Sequence, residues 1–138
     1  MTKSYQMARS AELSSLAALR GLVDQACREH GIDDATAYDL KLALDEACSN
    51  VIQYGYSGMN AGSVILRIDV QPNEVTLTLT DFGHAFEPVE TPLPDVNAML
   101  EGDAQAGGFG LYIIHQTMDD VCYESDGVEN KLILTKRR

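Results

Sequence analysis

The stretch SVILRIDVQPNEVTLTLTDFG, residues 63–83, decides the fold. Val64, Leu66, Ile68 and Val70 alternate with Ile65, Arg67 and Asp69, the period-two pattern of a strand with one buried face. Gln71-Pro72-Asn73-Glu74 supplies a turn, and Val75, Leu77 and Leu79 resume the alternation. The two runs predict an antiparallel hairpin with one face against helices. The same period puts Asp81 on the buried face with Val75, Leu77 and Leu79. A carboxylate facing inward costs several kcal/mol unless it meets donors. Two readings follow for Asp81-Phe-Gly83: an ordinary Asp-x-Gly turn, or a carboxylate that accepts from a base amino group while Gly83 lets a flat ring approach the backbone.

Upstream of the hairpin, apolar spacing changes from two to three and four. Leu40, Leu44, Ala47 and Val51 form the stripe of a helix capped by Asp33 or Asp34 and running to about Tyr54, where a glycine-rich loop to Gly62 closes it. Leu13, Leu16, Leu19, Val23 and Cys27 predict an earlier helix, with Ser10 as N-cap, Glu12 near its start and Gly31 after its end. Lys3 to Ala8 reads as a short first strand. Downstream, residues 87–106 are acidic and irregular, with Pro88, Pro92 and Pro94 and room for one short helix over 95–100. Loops of that length are usually lids or disordered. A third helix from about Gly108 to Met118 buries Leu111, Ile114 and Met118. Val121–Glu124 and Lys131–Thr135 then pair across Asp126-Gly127. Helices on one face of a mixed, mostly antiparallel sheet make a two-layer α+β sandwich, one domain over residues 1–138.

Composition narrows the function. The chain carries 21 acidic and 10 basic residues, a net charge of -11, and no Lys or Arg between Arg67 and Lys131. Nucleic acids and anionic membranes attract basic surfaces, so neither is an expected partner. A nucleotide is still compatible where Mg²⁺ and backbone N–H groups carry the phosphates. Cys27, Cys48 and Cys122 form no CxxC pair and read as buried small hydrophobes in a reducing compartment, the cytoplasm. His30, His84 and His115 have no metal-site spacing. His30 suits a helix C-terminus, and His84 either lines a site or lies on the surface.

Two further places could hold chemistry. Glu46 and Asn50 are one helical turn apart, within about 40° of each other around the axis, at the margin of the core stripe. A carboxylate and a carboxamide so placed are either a solvated pair or the holders of a hydrated Mg²⁺ and a hydroxyl. Gly107-Gly108-Phe109-Gly110 opens the third helix, where backbone N–H groups and the positive dipole end form an anion site or the glycines merely permit tight packing.

In chain order these residues resemble the motifs of the Bergerat (GHKL) ATPases, the histidine-kinase-like ATP-binding domains. Glu46-Ala-Cys-Ser-Asn50 resembles their N box, Asp81-Phe-Gly83 with Phe86 their first glycine box, and Gly108-Phe-Gly110-Leu-Tyr-Ile-Ile their second. Spacing and length are most similar to the anti-sigma-factor serine kinases, over almost the whole chain. The resemblance implies ATP and Mg²⁺ as cofactors, with Asn50 the metal ligand and Glu46 the catalytic base toward the attacking hydroxyl. It implies that Asp81 accepts from the adenine amino group and Gly83 lines the base pocket. Gly108 and Gly110 would cradle the phosphates, with Phe86, Gly107, Phe109 and Leu111 completing the nucleotide-binding set and residues 87–106 forming the lid. It further implies phosphorylation of a serine on an anti-anti-sigma (STAS-like) partner, alternating sequestration of a sigma factor, and a homodimer.

Two departures stand out. Tyr54 occupies a position where many relatives carry His, and Asp103-Ala-Gln-Ala106 precedes the second glycine box where a basic residue is common. Phosphoryl transfer concentrates charge on equatorial oxygens, so the missing cation must come from elsewhere, such as Arg20 or a second subunit. The leading expectation is therefore an Mg-ATP-dependent protein serine kinase acting by partner switching. The alternative is an ATP-binding regulatory module that controls partner binding without phosphoryl transfer. A third reading is a structural α+β domain that binds no nucleotide.

Overall fold

The computed structural model describes residues 2–60, 62–85 and 106–138. Five strands, β1 (Lys3–Ser10), β2 (Ser63–Val70), β3 (Glu74–Asp81), β4 (Asp120–Ser125) and β5 (Asn130–Arg137), form one sheet in the order β1-β2-β3-β5-β4. The helices are α1 (Leu16–Glu29), α2 (Asp34–Asn50) and α3 (Ala106–Thr117). The α+β architecture is the expected one, but all four strand pairings are antiparallel. β3 and β4 do run in the same direction. β5 lies between them, so that relation never becomes a parallel ladder.

The alternation around the turn at 71–74 does what its period dictates. Val64, Leu66, Ile68 and Val70 of β2 and Val75, Leu77 and Leu79 of β3 are all buried. Leu19, Val23 and Cys27 of α1, Leu40, Leu44 and Ala47 of α2 and Ile114 of α3 cover them. Each such large aliphatic side chain contributes about 1.5–3 kcal/mol on burial, so the two-layer core holds the sandwich together.

The helix ends explain where the chain turns. Gly31 takes φ +63, and Ile32 N donates to Cys27 O at 2.9 Å, which closes the last carbonyls of α1. Asp33 then caps α2 by accepting from Thr36 N at 2.7 Å. The start of α1 differs from expectation. β1 extends through Ser10, which pairs with Ser63, and Ala11 N donates to Gly62 O at 2.8 Å. Sheet pairing therefore takes the residue expected to cap the helix. A 3-10 turn over Leu13–Ser15 precedes α1, and Leu13 is 63% exposed rather than part of the core stripe. Cys27 and Cys48 are buried as expected, and Cys122 is exposed. Cys122 sits on edge strand β4 opposite Ile133, on the sheet face turned away from the helices.

Candidate active site

Topology brings the candidate motifs to one end of the sandwich. β1 ends opposite the start of β2, at Ser10 and Ser63, so α1 leads away from that end and α2 returns to it. β3 finishes there at Asp81, opposite Val64. β4 starts at the far end, where Asp119 N donates to Thr135 O at 2.9 Å, so α3 must begin near Asp81 and run away from it. Lys136 fixes the far end. Its Nζ donates to Thr117 O at 2.8 Å and pairs with Asp39 of α2 at 3.1 Å. The start of α3 and the Asn50 end of α2 thus lie at the same pole as Asp81.

The inner face of the sheet changes chemistry at that pole. Rows such as Ile68–Leu77–Leu134 are wholly apolar, whereas the terminal row reads Val64, Asp81, Asn130, Ser125. Asp81 is 7% exposed and Asn130 2%. Asp81 Oδ1 accepts from Gly83 N at 2.9 Å and from Asn130 Nδ2 at 3.1 Å. Asn130 Nδ2 also donates to Gly83 O at 2.9 Å, and Ser125 Oγ donates to Asn130 Oδ1 at 2.7 Å. Among the described residues Asp81 Oδ2 receives no hydrogen bond. A carboxylate oxygen that accepts nothing from the described residues can accept from a ligand donor. The Asp-x-Gly turn bond is present and the carboxylate faces inward, with both of these hydrogen bonds on Oδ1.

The structure gives Gly83 a reason of its own to be glycine. A Cβ there would overlap the carbonyl of Gly55, and His84 N donates to Gly55 O at 2.6 Å. Gly55 closes a π-helical turn, Val51–Gly55, that continues α2. Such turns are often found at functional sites. Tyr56 reinforces the junction: its hydroxyl donates to Ser63 O at 2.7 Å and accepts from Phe82 N at 3.0 Å, and burial pushes its pKa up. His84 is drawn toward the same loop, its Nε2 lying 2.9 Å from Ser57 O.

On α2, Asn50 is 9% exposed, and its amide has no hydrogen-bond partner among the described residues. Glu46, one turn earlier, is half-buried. Burial holds its carboxyl above the usual glutamate range, with neighbouring Asp45 a second cause. Asp45 is itself raised by burial, against the opposing effect of Arg20. Arg20 Nε lies 3.2 Å from Asp45 Oδ1 but out of line for a hydrogen bond, so the contact is an ion pair only. Arg20, the candidate source of the missing cation, is thus engaged by Asp45. The hard oxygens of Asn50 and Glu46 fit a hydrated Mg²⁺, which takes one or two protein ligands and fills its shell with water and phosphate.

Gly107, Gly108, Phe109, Gly110 and Leu111 fall in the first half of α3, which starts slightly earlier than expected, at Ala106. The first-turn N–H groups of any helix lack intrahelical partners and attract anions. Phe86, the expected lid up to residue 105 and the short helix over 95–100 lie outside the described residues. Asn130 escaped the sequence reading. Its one signal was a polar residue two before Leu132 and four before Leu134, in step with the inward positions.

Comparison with known proteins places the fold in a family. The model of the histidine kinase-like ATPase domain matches residues 9–136, and the chain belongs to that family. It is 32% identical over 96 residues to the serine-protein kinase RsbW of Bacillus velezensis, covering 64% of this chain and 57% of that protein. It is 30% identical over 98 residues to the serine/threonine-protein kinase BtrW of Bordetella bronchiseptica, covering 71% and 68%. The crystal structure of the RsbU and RsbW domains of a Mycobacterium tuberculosis protein superposes with a TM-score of 0.71 at 14% identity, over 98% of this chain and 32% of that one. That likeness concerns the fold. No helix among the described residues is long and apolar enough to cross a membrane.

Proposed function

We propose that this chain binds Mg-ATP at the Asp81 pole and transfers the γ-phosphoryl group to a serine of a protein partner. The observation that carries the reading is the buried Asp81 carboxylate with Oδ2 unpartnered among the described residues, at the pole where α2 ends and α3 starts. Asp81 accepts from the adenine amino group, and Gly83 lines the base. Asn50 holds the metal, which draws charge from the phosphate oxygens when bound. The first-turn N–H groups of α3, at Gly107 and Gly108, receive the phosphates, and Phe109, Gly110 and Leu111 complete the nucleotide-binding set. Glu46 takes the proton of the serine hydroxyl as the serine oxygen bonds to the γ-phosphorus and the bond to the β–γ bridging oxygen breaks, releasing ADP. Burial, with Asp45 beside it, raises its carboxyl above the usual glutamate range, the direction that makes it a stronger base.

The names of the relatives, a serine-protein kinase and a serine/threonine-protein kinase, support a hydroxyl acceptor, with serine common to both. Partner switching between a STAS-like anti-anti-sigma protein and a sigma factor, by a homodimer in the cytoplasm, belongs to the same proposal. A second reading, ATP-controlled binding without transfer, is favoured by one fact: no Lys or Arg lies between Arg67 and Lys131. Incubation with γ-labelled ATP, Mg²⁺ and a STAS-like partner separates the two. Label on a partner serine supports the kinase, whereas nucleotide-dependent binding with no label supports the module.

A further inference from the structure

Resting on the reading of Asp81 as the base-recognition carboxylate, we propose that Asn130 is a specificity-determining positioning residue, held by Ser125. It fixes the rotation of the Asp81 carboxylate, so that the site prefers a purine with a 6-amino group over one with a 6-oxo group.

The amide has one workable orientation. Three oxygens surround its Nδ2: Asp81 Oδ1 at 3.1 Å, Gly83 O at 2.9 Å and His84 O at 3.5 Å. Reversal would turn the amide oxygen against all three. On its other side Ser125 Oγ donates to Oδ1 at 2.7 Å, and Gly127 N donates to Ser125 Oγ at 3.3 Å. The chain of donors thus runs from the β4–β5 turn through Ser125 and Asn130 to Asp81.

Stoichiometry sets the role. An amide nitrogen has two hydrogens, and the two shorter contacts, to Gly83 O and Asp81 Oδ1, use both. None remains for a ligand, so Asn130 acts through Asp81 and does not touch the base itself. Gly83 N adds a second donor to Oδ1. With Oδ1 pinned by two donors, the carboxylate cannot rotate, and Oδ2 offers a lone pair in a fixed direction. That lone pair meets the hydrogen of a 6-amino group. Against a 6-oxo group it opposes another acceptor.

Inosine triphosphate differs from ATP at this edge alone, replacing the 6-amino group by oxygen and adding a proton at N1. The test is the ratio of ATP to inosine triphosphate affinity, measured calorimetrically with Mg²⁺ on the full chain. Asn130→Ala should lower the ratio about tenfold, and Ser125→Ala, which touches only an exposed hydroxyl, about threefold. A purely structural role would weaken both nucleotides equally and leave the ratio alone. Should Asn130→Ala fail to fold, Ser125→Ala decides. A Ser125→Ala ratio within about twofold of wild type overturns the proposal. Asp81→Asn separates the two levels. If it keeps the wild-type ratio, the base reading itself falls. If it loses the ratio while the Ser125 and Asn130 variants keep it, only the positioning role falls.

Discussion

Asp81 and Asn130 stand directly opposite each other on β3 and β5, and the asparagine amide donates to the carboxylate at 3.1 Å at the end of the sheet. The pairing converts the last row of an apolar sheet face into a polar socket. Its position at the pole shared by the end of α2 and the start of α3 makes it the anchor for the rest of the site.

Glu46 should separate stability from chemistry. Its folded pKa is raised above the ordinary 4.5, first by burial and then by Asp45. The native protein therefore holds that proton more tightly than the unfolded chain does, and stability falls as pH rises from 4.5 through the raised value. Glu46→Gln removes the loss. The variant should be more stable than wild type at pH 7–8, by up to about 1 kcal/mol because the half-exposed group is partly screened. The gap should close as pH falls toward 4.5. Nucleotide affinity should stay unchanged while phosphoryl transfer disappears. Urea denaturation at several pH values, with a transfer assay beside it, checks each part.

Asn50→Ala should act through the metal alone. Affinity for ATP in Mg²⁺ should fall about tenfold, with little change in a chelator. Equal weakening with and without Mg²⁺ would remove Asn50 from the metal role. Titration calorimetry in both buffers reads the difference.

Gly83→Ala tests the contact between β3 and the π-helical turn. The added methyl meets the Gly55 carbonyl, a backbone atom with no rotamer to move. Overpacking of this kind costs about 1–3 kcal/mol. A denaturation midpoint equal to wild type would mean that the two segments separate without loss, and that Gly55 does not support the site.

The hairpin, α2 and the inward carboxylate were legible because period and burial are local properties. Asp81 could be placed on the core face from Val75, Leu77 and Leu79 alone. Asn130 could not be assigned, because its meaning depends on β5 lying beside β3, and no residue near it states that neighbour. For Gly83 the sequence suggests an approaching base ring; the structure adds a contact that no local pattern records, the carbonyl of Gly55, 28 positions earlier. Ser10 misled for the same reason. A good capping residue became the last rung of a ladder once Ser63 was found opposite. Interactions between distant segments decided each of these, and alternation patterns carry no record of them.

The central claim is that Oδ2 of Asp81 receives an adenine amino group. Calorimetric titration of Mg-ATP into wild type and Asp81→Asn tests it most directly, since the variant keeps size and puts a donor or an uncharged oxygen where the carboxylate was. The account predicts saturable binding by wild type and a loss of about tenfold or more in the variant, with the melting temperature in the absence of nucleotide nearly preserved. Equal affinity of the two proteins for Mg-ATP would contradict it.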